Sequence, residues 1–314
     1  MRPLLRSQVE KYNNRSLMLA AVQKNGMALW DASKELKADR EIVLAAVQND
    51  GQNDGQNYGQ NYGAALKYAS EELQADREIV LAAVQNHGIV LRFASEELKA
   101  DREIVLAAVQ NYGDALEFAP DELKADREIV LGAVQRHGYA LRFAPDELKA
   151  DREIVLGAVQ RHGYALRFAS EEPKADREIV LAAVQNHGSA LDYASEELKA
   201  DREIVLDAVQ NNRYALRHAS EELKDDPFVK ALASRDVEFA RECLKNLGCL
   251  RPTIPSEREE LVDKIVEIAK YFPELEEKAQ EASAQVENPC NDDGTYSCAH
   301  KRDCNEFEKD FNGE

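Results

Sequence analysis

The chain of 314 residues carries a formal net charge of −19, with charged residues at 32% and aromatics at 7%. A surface this acidic argues against nucleic acid, whose phosphates need a basic face, and against anionic membranes. Few aromatics and many charges favour a helical protein with a thin core over a sheet protein, which draws on β-branched and aromatic residues.

Residues 1–13 read as an imperfect lead-in, without the apolar stretch of a secretory signal. From Asn14 the sequence repeats itself. Further copies open at Asp39, Asp76, Asp101, Asp126, Asp151, Asp176 and Asp201, 25 residues apart except at one step. The exception lies between Asp39 and Asp76, where four Gln-Asn-x-Gly groups run from Gln48 to Gly63 in place of one. Pro120–Ala144 and Pro145–Ala169 are identical copies. A fixed period of this length marks a solenoid or array.

Within a copy, Asp is placed as an N-cap and Glu in the first turn, where the helix dipole favours it. The run Ile-Val-Leu-x-Ala-Val is apolar nearly all round, as a helix sandwiched between neighbours requires. Gly88, Gly113, Gly138, Gly163 and Gly188 follow and suit a left-handed C′ position. A shorter helix of the form x-Ala-Leu-Arg-Phe-Ala comes next, then a single turn capped by Ser. Pro120 and Pro145 replace that Ser, and Pro173 falls where the N–H has no intrahelical partner.

Comparison between copies separates inside from outside. The slot holding Ala82, Ala107, Gly132, Gly157, Ala182 and Asp207 accepts a carboxylate, so exposure is expected there. The next slot is always Ala (Ala83, Ala108, Ala133, Ala158, Ala183, Ala208), as a close contact demands. Leu66, Leu91, Leu116, Leu141, Leu166, Leu191 and Leu216 are unvaried and are expected in the core.

From Asp226 the pattern decays into a shortened helix pair. Beyond Pro255, a stripe of Leu261, Ile265, Ile268 and Phe272 at helical spacing marks a C-terminal cap. The predicted organisation is a lead-in (1–13), a repeat array (14–225, with a Gly/Asn/Gln-rich loop at 48–63), a degenerate repeat with helical cap (226–286), and an acidic, disordered, Cys-containing tail (287–314). Seventeen acidic residues face eight basic ones from Arg251 onward, so the array itself is nearly balanced. The fold expected is all-α, a right-handed-type α-solenoid of helix–short helix–turn repeats.

The consensus D-R-E-I-V-L-x-A-V-Q-x-x-G-x-A-L-x-F-A-S-x-E-L-K resembles the tandem repeat of domain-of-unknown-function family 4116, over roughly Asn14 to Asp226. The resemblance implies helical repeats and carries no activity, substrate or catalytic residue with it. The Gln-Asn-x-Gly tract departs from the family unit.

Four candidate features stand out. The residue after each Gly and the one three further on share a face, giving Tyr139/Arg142, Tyr164/Arg167 and Tyr214/Arg217 as an exposed ladder of the side chains favoured at binding hot spots. Such a stripe suits a protein partner or an acidic, extended peptide; solvated surface variation is the simpler account. His87, His137, His162 and His187 suggest metal, but stacked helices about 8–10 Å apart are too distant to share one, so a dipole partner at the helix C-terminus is preferred. Cys290, Cys298, His300 and Cys304 are legal zinc ligands in an unusual spacing, and no metal is expected there. The Gln-Asn-x-Gly tract reads as an expanded, mobile loop.

No phosphate-binding, zinc-protease, nucleophile-elbow or dinucleotide motif is present in the sequence. The longest recurrent apolar run, IVLAAV, falls far short of the about 20 residues a membrane span needs. All five Cys lie after residue 242, so the array is no disulfide scaffold and an intracellular, reducing setting is expected. The function expected is a non-enzymatic protein–protein interaction scaffold, monomeric and without cofactor. An inert spacer array is the alternative, and an enzyme with an unrecognised site ranks last.

Overall fold

Each repeat builds outward from its aspartate. In the computed structural model Asp76 accepts from the backbone amides of Glu78 (3.0 Å) and Ile79 (3.1 Å), two of the donors a helix start leaves orphaned. The helix Arg77–Asn86 follows and buries Ile79, Val80, Ala83 and Val84. It stops at His87, whose backbone is extended (φ −142°). The next segment, Gly88–Phe93, is a 3-10 helix. Between the extended positions His87 and Ala94, the Val90 amide donates to the His87 carbonyl and the Ala94 amide to that of Leu91, the three-residue pattern of the tighter winding. Ser95 then caps the single turn Glu96–Lys99 by accepting from the Leu98 amide, and Asp101 opens the next copy.

The structure describes residues 14–50, 65–249 and 255–287, all helical elements and connections with no strand among them. The proposed lead-in, nearly all of the Gln-Asn-x-Gly tract, and the tail with its zinc candidates Cys290, Cys298, His300 and Cys304 lie outside the described residues. The chain divides into two compact units, 1–174 and 175–314. Each stacks the same repeat: long helices pack on long helices, and 3-10 segments on 3-10 segments. The fold is an all-α repeat solenoid.

In the N-terminal unit, neighbouring copies are laced at both helix ends. At the start, the Arg of one copy grips the Asp cap and the Glu of the next: Arg40 reaches Asp76 and Glu78, Arg77 reaches Asp101 and Glu103, Arg102 reaches Asp126 and Glu128, and Arg127 reaches Asp151 and Glu153. The Arg102 guanidinium, helped by two backbone amides, holds the Asp126 carboxyl below its ordinary range despite partial burial. At the other end, Asn111 donates to the carbonyls of Gln85 and Asn86, and Arg136 to that of Asn111. The last carbonyls of a helix are thus satisfied by the following copy. The 86/111/136 slot therefore serves stacking.

The glycines are not left-handed, contrary to the C′ expectation. None of Gly88, Gly113, Gly138 or Gly188 has positive φ. Their role is close approach. A Cβ on Gly88 would lie 2.1 Å from the carbonyl oxygen of Ala108 in the next copy, and one on Gly138 would lie 2.3 Å from that of Ala158. The unvaried Ala completes this contact and is buried, as expected. The Leu series is also in the core from Leu66 through Leu191, while Leu216, in the last full copy, is half-buried.

The tetrapeptide expansion leaves the stack undisturbed, because its two ends meet. The buried Asp50 carboxylate accepts from the Ala65 amide at 2.8 Å, which brings together the described residues on either side of the expansion. Proline has a local cost. Ser70, Ser95 and Ser170 each donate a backbone amide to the preceding copy, at the carbonyls of Lys37, Gln74 and Lys149. Pro120 and Pro145 have no amide to give.

The C-terminal unit ends its stack with helices Pro227–Ser234, Val237–Cys249, Pro255–Tyr271 and Glu276–Glu287. The stripe Leu261, Ile265, Ile268 and Phe272 is buried, as expected of a cap. The cap imitates a next copy: Arg202 pairs with Glu267 and lies 3.6 Å from Asp226, repeating the Arg–Asp–Glu grip. Asp207 corrects the sequence expectation. Its side chain is only 11% exposed, accepts from the Tyr271 hydroxyl at 2.7 Å, and lies 3.4 Å from the Lys270 ammonium. The carboxylate marks a docking point for the cap rather than open solvent.

Candidate binding ridge

The 3-10 segments supply the candidate site. With three residues per turn, positions three apart eclipse one another. In the N-terminal unit the inward pair of each copy is Ala-Leu (Val-Leu at Val90–Leu91), buried except that Ala28 is half-buried; the copy at Ala65–Tyr68 winds as an α-helical turn, and in each the next two positions turn outward. The first of these is Trp30, Lys67, Arg92, Glu117, Arg142 and Arg167, all exposed. The second is Asp31, Tyr68, Phe93, Phe118, Phe143 and Phe168, half-buried apart from exposed Asp31. Arginine and ring stack within a copy: Arg92 lies 4.5 Å from the Phe93 centroid, Arg142 4.4 Å from Phe143, and Arg167 5.0 Å from Phe168. Near the start, Lys37 and Lys67 flank the Tyr68 ring, and Trp30, 63% exposed, leans toward it at 6.4 Å.

The proposed Tyr–Arg pairs separate. Tyr139 is half-buried and stacks on His162 of the following copy (4.9 Å, 22°), while Arg142 reaches back to the buried Asp114 at 3.1 Å. Tyr164 is likewise half-buried, and Arg167 is exposed over Phe168. In the C-terminal unit Tyr214 is exposed and bonded to Arg213 (2.9 Å), while Arg217 donates to His218. The slot after each Gly lies between copies, and Asp114 and Ser189 in it are buried. Only the Arg members form an exposed series. The aromatic slot beside them is legible as Phe93, Phe118, Phe143 and Phe168, but spacing alone does not show that a ring there underlies the Arg.

The histidines also depart from expectation. Helix spacing does not fix ring spacing: His137 and His162 meet edge to face at 4.9 Å. His137 Nδ1 lies 2.6 Å from Asp114, and His162 Nδ1 accepts from the Gly138 amide at 3.1 Å. In the copies with Asn before the His slot, Asn111 or Asn211 accepts the equivalent glycine amide; with Arg161 there, His162 takes over. No group of three or more His, Cys, Asp or Glu among the described residues is arranged to hold a metal.

Burial, with His137 and Arg161 nearby, holds His162 below the ordinary imidazole value of 6.5, against the pull of Asp114. A depressed folded value means the neutral ring stabilises the array above that value and the contribution is lost as pH falls through the folded one. The melting temperature is therefore expected to drop on acidification below about pH 6.5. His162→Leu lowers stability at neutral pH but diminishes that drop. Calorimetric melts across pH check both.

No helix among the described residues is long and apolar enough to cross a membrane. No curated protein and no solved structure matches the chain. A family model does match, repeatedly, at residues 14–53, 60–99, 76–124, 101–149, 126–174 and 176–224, in overlapping windows that follow the stacking copies. These matches span well over half of the sequence, and the chain belongs to the family described as Domain of unknown function (DUF4116).

Proposed function

We propose that this protein is a non-enzymatic interaction scaffold whose 3-10 ridge receives a protein partner. The supporting observation is the contrast between slots. The letters that never vary cap helices, fill the core or bring glycine against alanine, whereas the slot pairing Arg with an aromatic face is exposed and differs from copy to copy. Arg and aromatic side chains are those over-represented at binding hot spots. Repetition of one unit also gives many equivalent positions rather than the single asymmetric pocket that catalysis needs.

The test is affinity capture from a lysate of the source organism with the full chain and with a variant carrying Arg92→Ser, Arg142→Ser and Arg167→Ser. Arg92 and Arg167 have no carboxylate partner among the described residues, but Arg142 pairs with the buried Asp114, so the variant is expected to melt somewhat below the parent and capture is compared well under that temperature. Loss of the captured proteins supports the ridge as the binding face. Unchanged capture, in kind and amount, removes it and favours an inert spacer. Removing one 25-residue copy offers a second comparison, since a geometric binder depends on the number of rungs and a spacer does not.

A further inference from the structure

The ridge of the N-terminal unit has a charge pattern that runs against the rest of the chain. Acidic residues outnumber basic ones 59 to 40 overall. Yet the exposed rungs from 67 to 167 read Lys67, Arg92, Glu117, Arg142, Arg167. The arginines at the helix starts of this unit are saturated: Arg77, Arg102 and Arg127 each grip two carboxylates. Among the described residues no carboxylate pairs with Arg92 or Arg167, and Arg142 has one, Asp114. Each of the three guanidinium groups lies over a phenylalanine ring. An aromatic face fixes the guanidinium plane and leaves its N–H edge for a planar, bidentate acceptor.

We infer that the ridge binds an acidic peptide in polyproline II conformation, with its acidic side chains at every third residue; this rests on the ridge being the binding face. The spacing argument is simple. Rungs recur once per stacked copy, and adjacent helices pack about 8–10 Å apart. Three residues of polyproline II advance about 9 Å and complete one turn, so every third side chain returns to the same face; in an extended strand side chains alternate, so every third one faces away. A helical peptide advances about 4.5 Å in three residues and does not keep pace. Glu117 sets the register. Opposite it the peptide carries a basic residue, so the matching pattern is acid-x-x-acid-x-x-base-x-x-acid-x-x-acid. A polyanion of uniform charge meets repulsion at that central rung, which separates the peptide from nucleic acid or polyphosphate.

The experiment uses the full chain and fluorescent peptides of thirteen residues at low ionic strength, read by anisotropy. One peptide follows the matching pattern, with glutamate at its four acidic places, lysine at its centre, and serine, proline and alanine between. A second has the same composition with the charges on alternate residues. A third replaces the central lysine by glutamate. The first is expected to bind about tenfold more tightly than either other. The protein variant Glu117→Arg is expected to invert the preference, favouring the third peptide over the first. Equal binding of all three, absence of binding, or polyphosphate competing as well as the first peptide overturns the inference. So does a preference that Glu117→Arg leaves unchanged. If the triple arginine variant loses its captured partners while the peptides are indistinguishable, the ridge stands and only the peptide chemistry fails; if capture is unaffected as well, both fail.

Discussion

Replacing Gly88 with alanine is expected to destabilise the array by about 3 kcal/mol, near the upper end of what overpacking costs. The added methyl would lie 2.1 Å from the Ala108 carbonyl oxygen and 2.9 Å from the Tyr112 amide nitrogen, both backbone atoms of the next copy. No rotamer change relieves that contact, so the two copies must part. Parting them also weakens the hydrogen bond from the Gly88 amide to the Asn111 side chain, 2.8 Å long in the native stack. The control is a glycine of the other kind. At Gly132, inside the helix Arg127–Arg136, a methyl would meet nothing closer than 3.9 Å, and sister copies hold alanine there. Gly132→Ala is expected to stabilise by about 0.5–1 kcal/mol through helix propensity. Urea unfolding of the two variants beside the parent decides the matter: similar midpoints for both would reject close approach as the reason for Gly88.

Truncating Leu141 to alanine is expected to cost about 2–5 kcal/mol. Its side chain is fully buried, in the 3-10 segment Gly138–Phe143 that packs against both flanking long helices, Arg127–Arg136 and Arg152–Arg161. One truncation therefore loosens two interfaces at once. Because each copy touches only its neighbours, the loss concentrates locally, and amide exchange is expected to accelerate first in residues 127–161. Leu216→Ala makes the comparison: that leucine is half-buried and is expected to cost clearly less. Equal losses at the two sites would show that the series is not graded by burial as described.

Much of the fold was legible because the array writes the same solution many times. Aspartate before Ile-Val-Leu announced an N-cap, and Asp76, Asp101 and Asp126 all cap their helices through two backbone amides. Unvaried Ala and Leu announced contact and core. Serine announced a single turn, and Ser95 and Ser195 cap one. These are local or periodic properties, fixed by backbone donors and by which face repeats, so one copy read against another suffices. The exposed ridge was half legible. The Arg slots were placed on the surface, but Tyr139 was paired with Arg142, when its ring turns instead to His162 in the following copy.

What the sequence could not determine was every relation that crosses from one copy to the next. The glycines end helices in either reading, and only the stack reveals that Gly88 makes room for the Ala108 carbonyl. Asp207 varies like a surface residue, yet the cap's Tyr271 hydroxyl sits on it. Arg102 and Asp126 stand 24 positions apart, and nothing in either local pattern states that they touch. Local hydrogen bonding and periodicity are properties of a segment and can be read from one. Steric complementarity and charge pairing between copies depend on the rise and rotation that carry one copy onto the next, and those are set only when the copies are stacked.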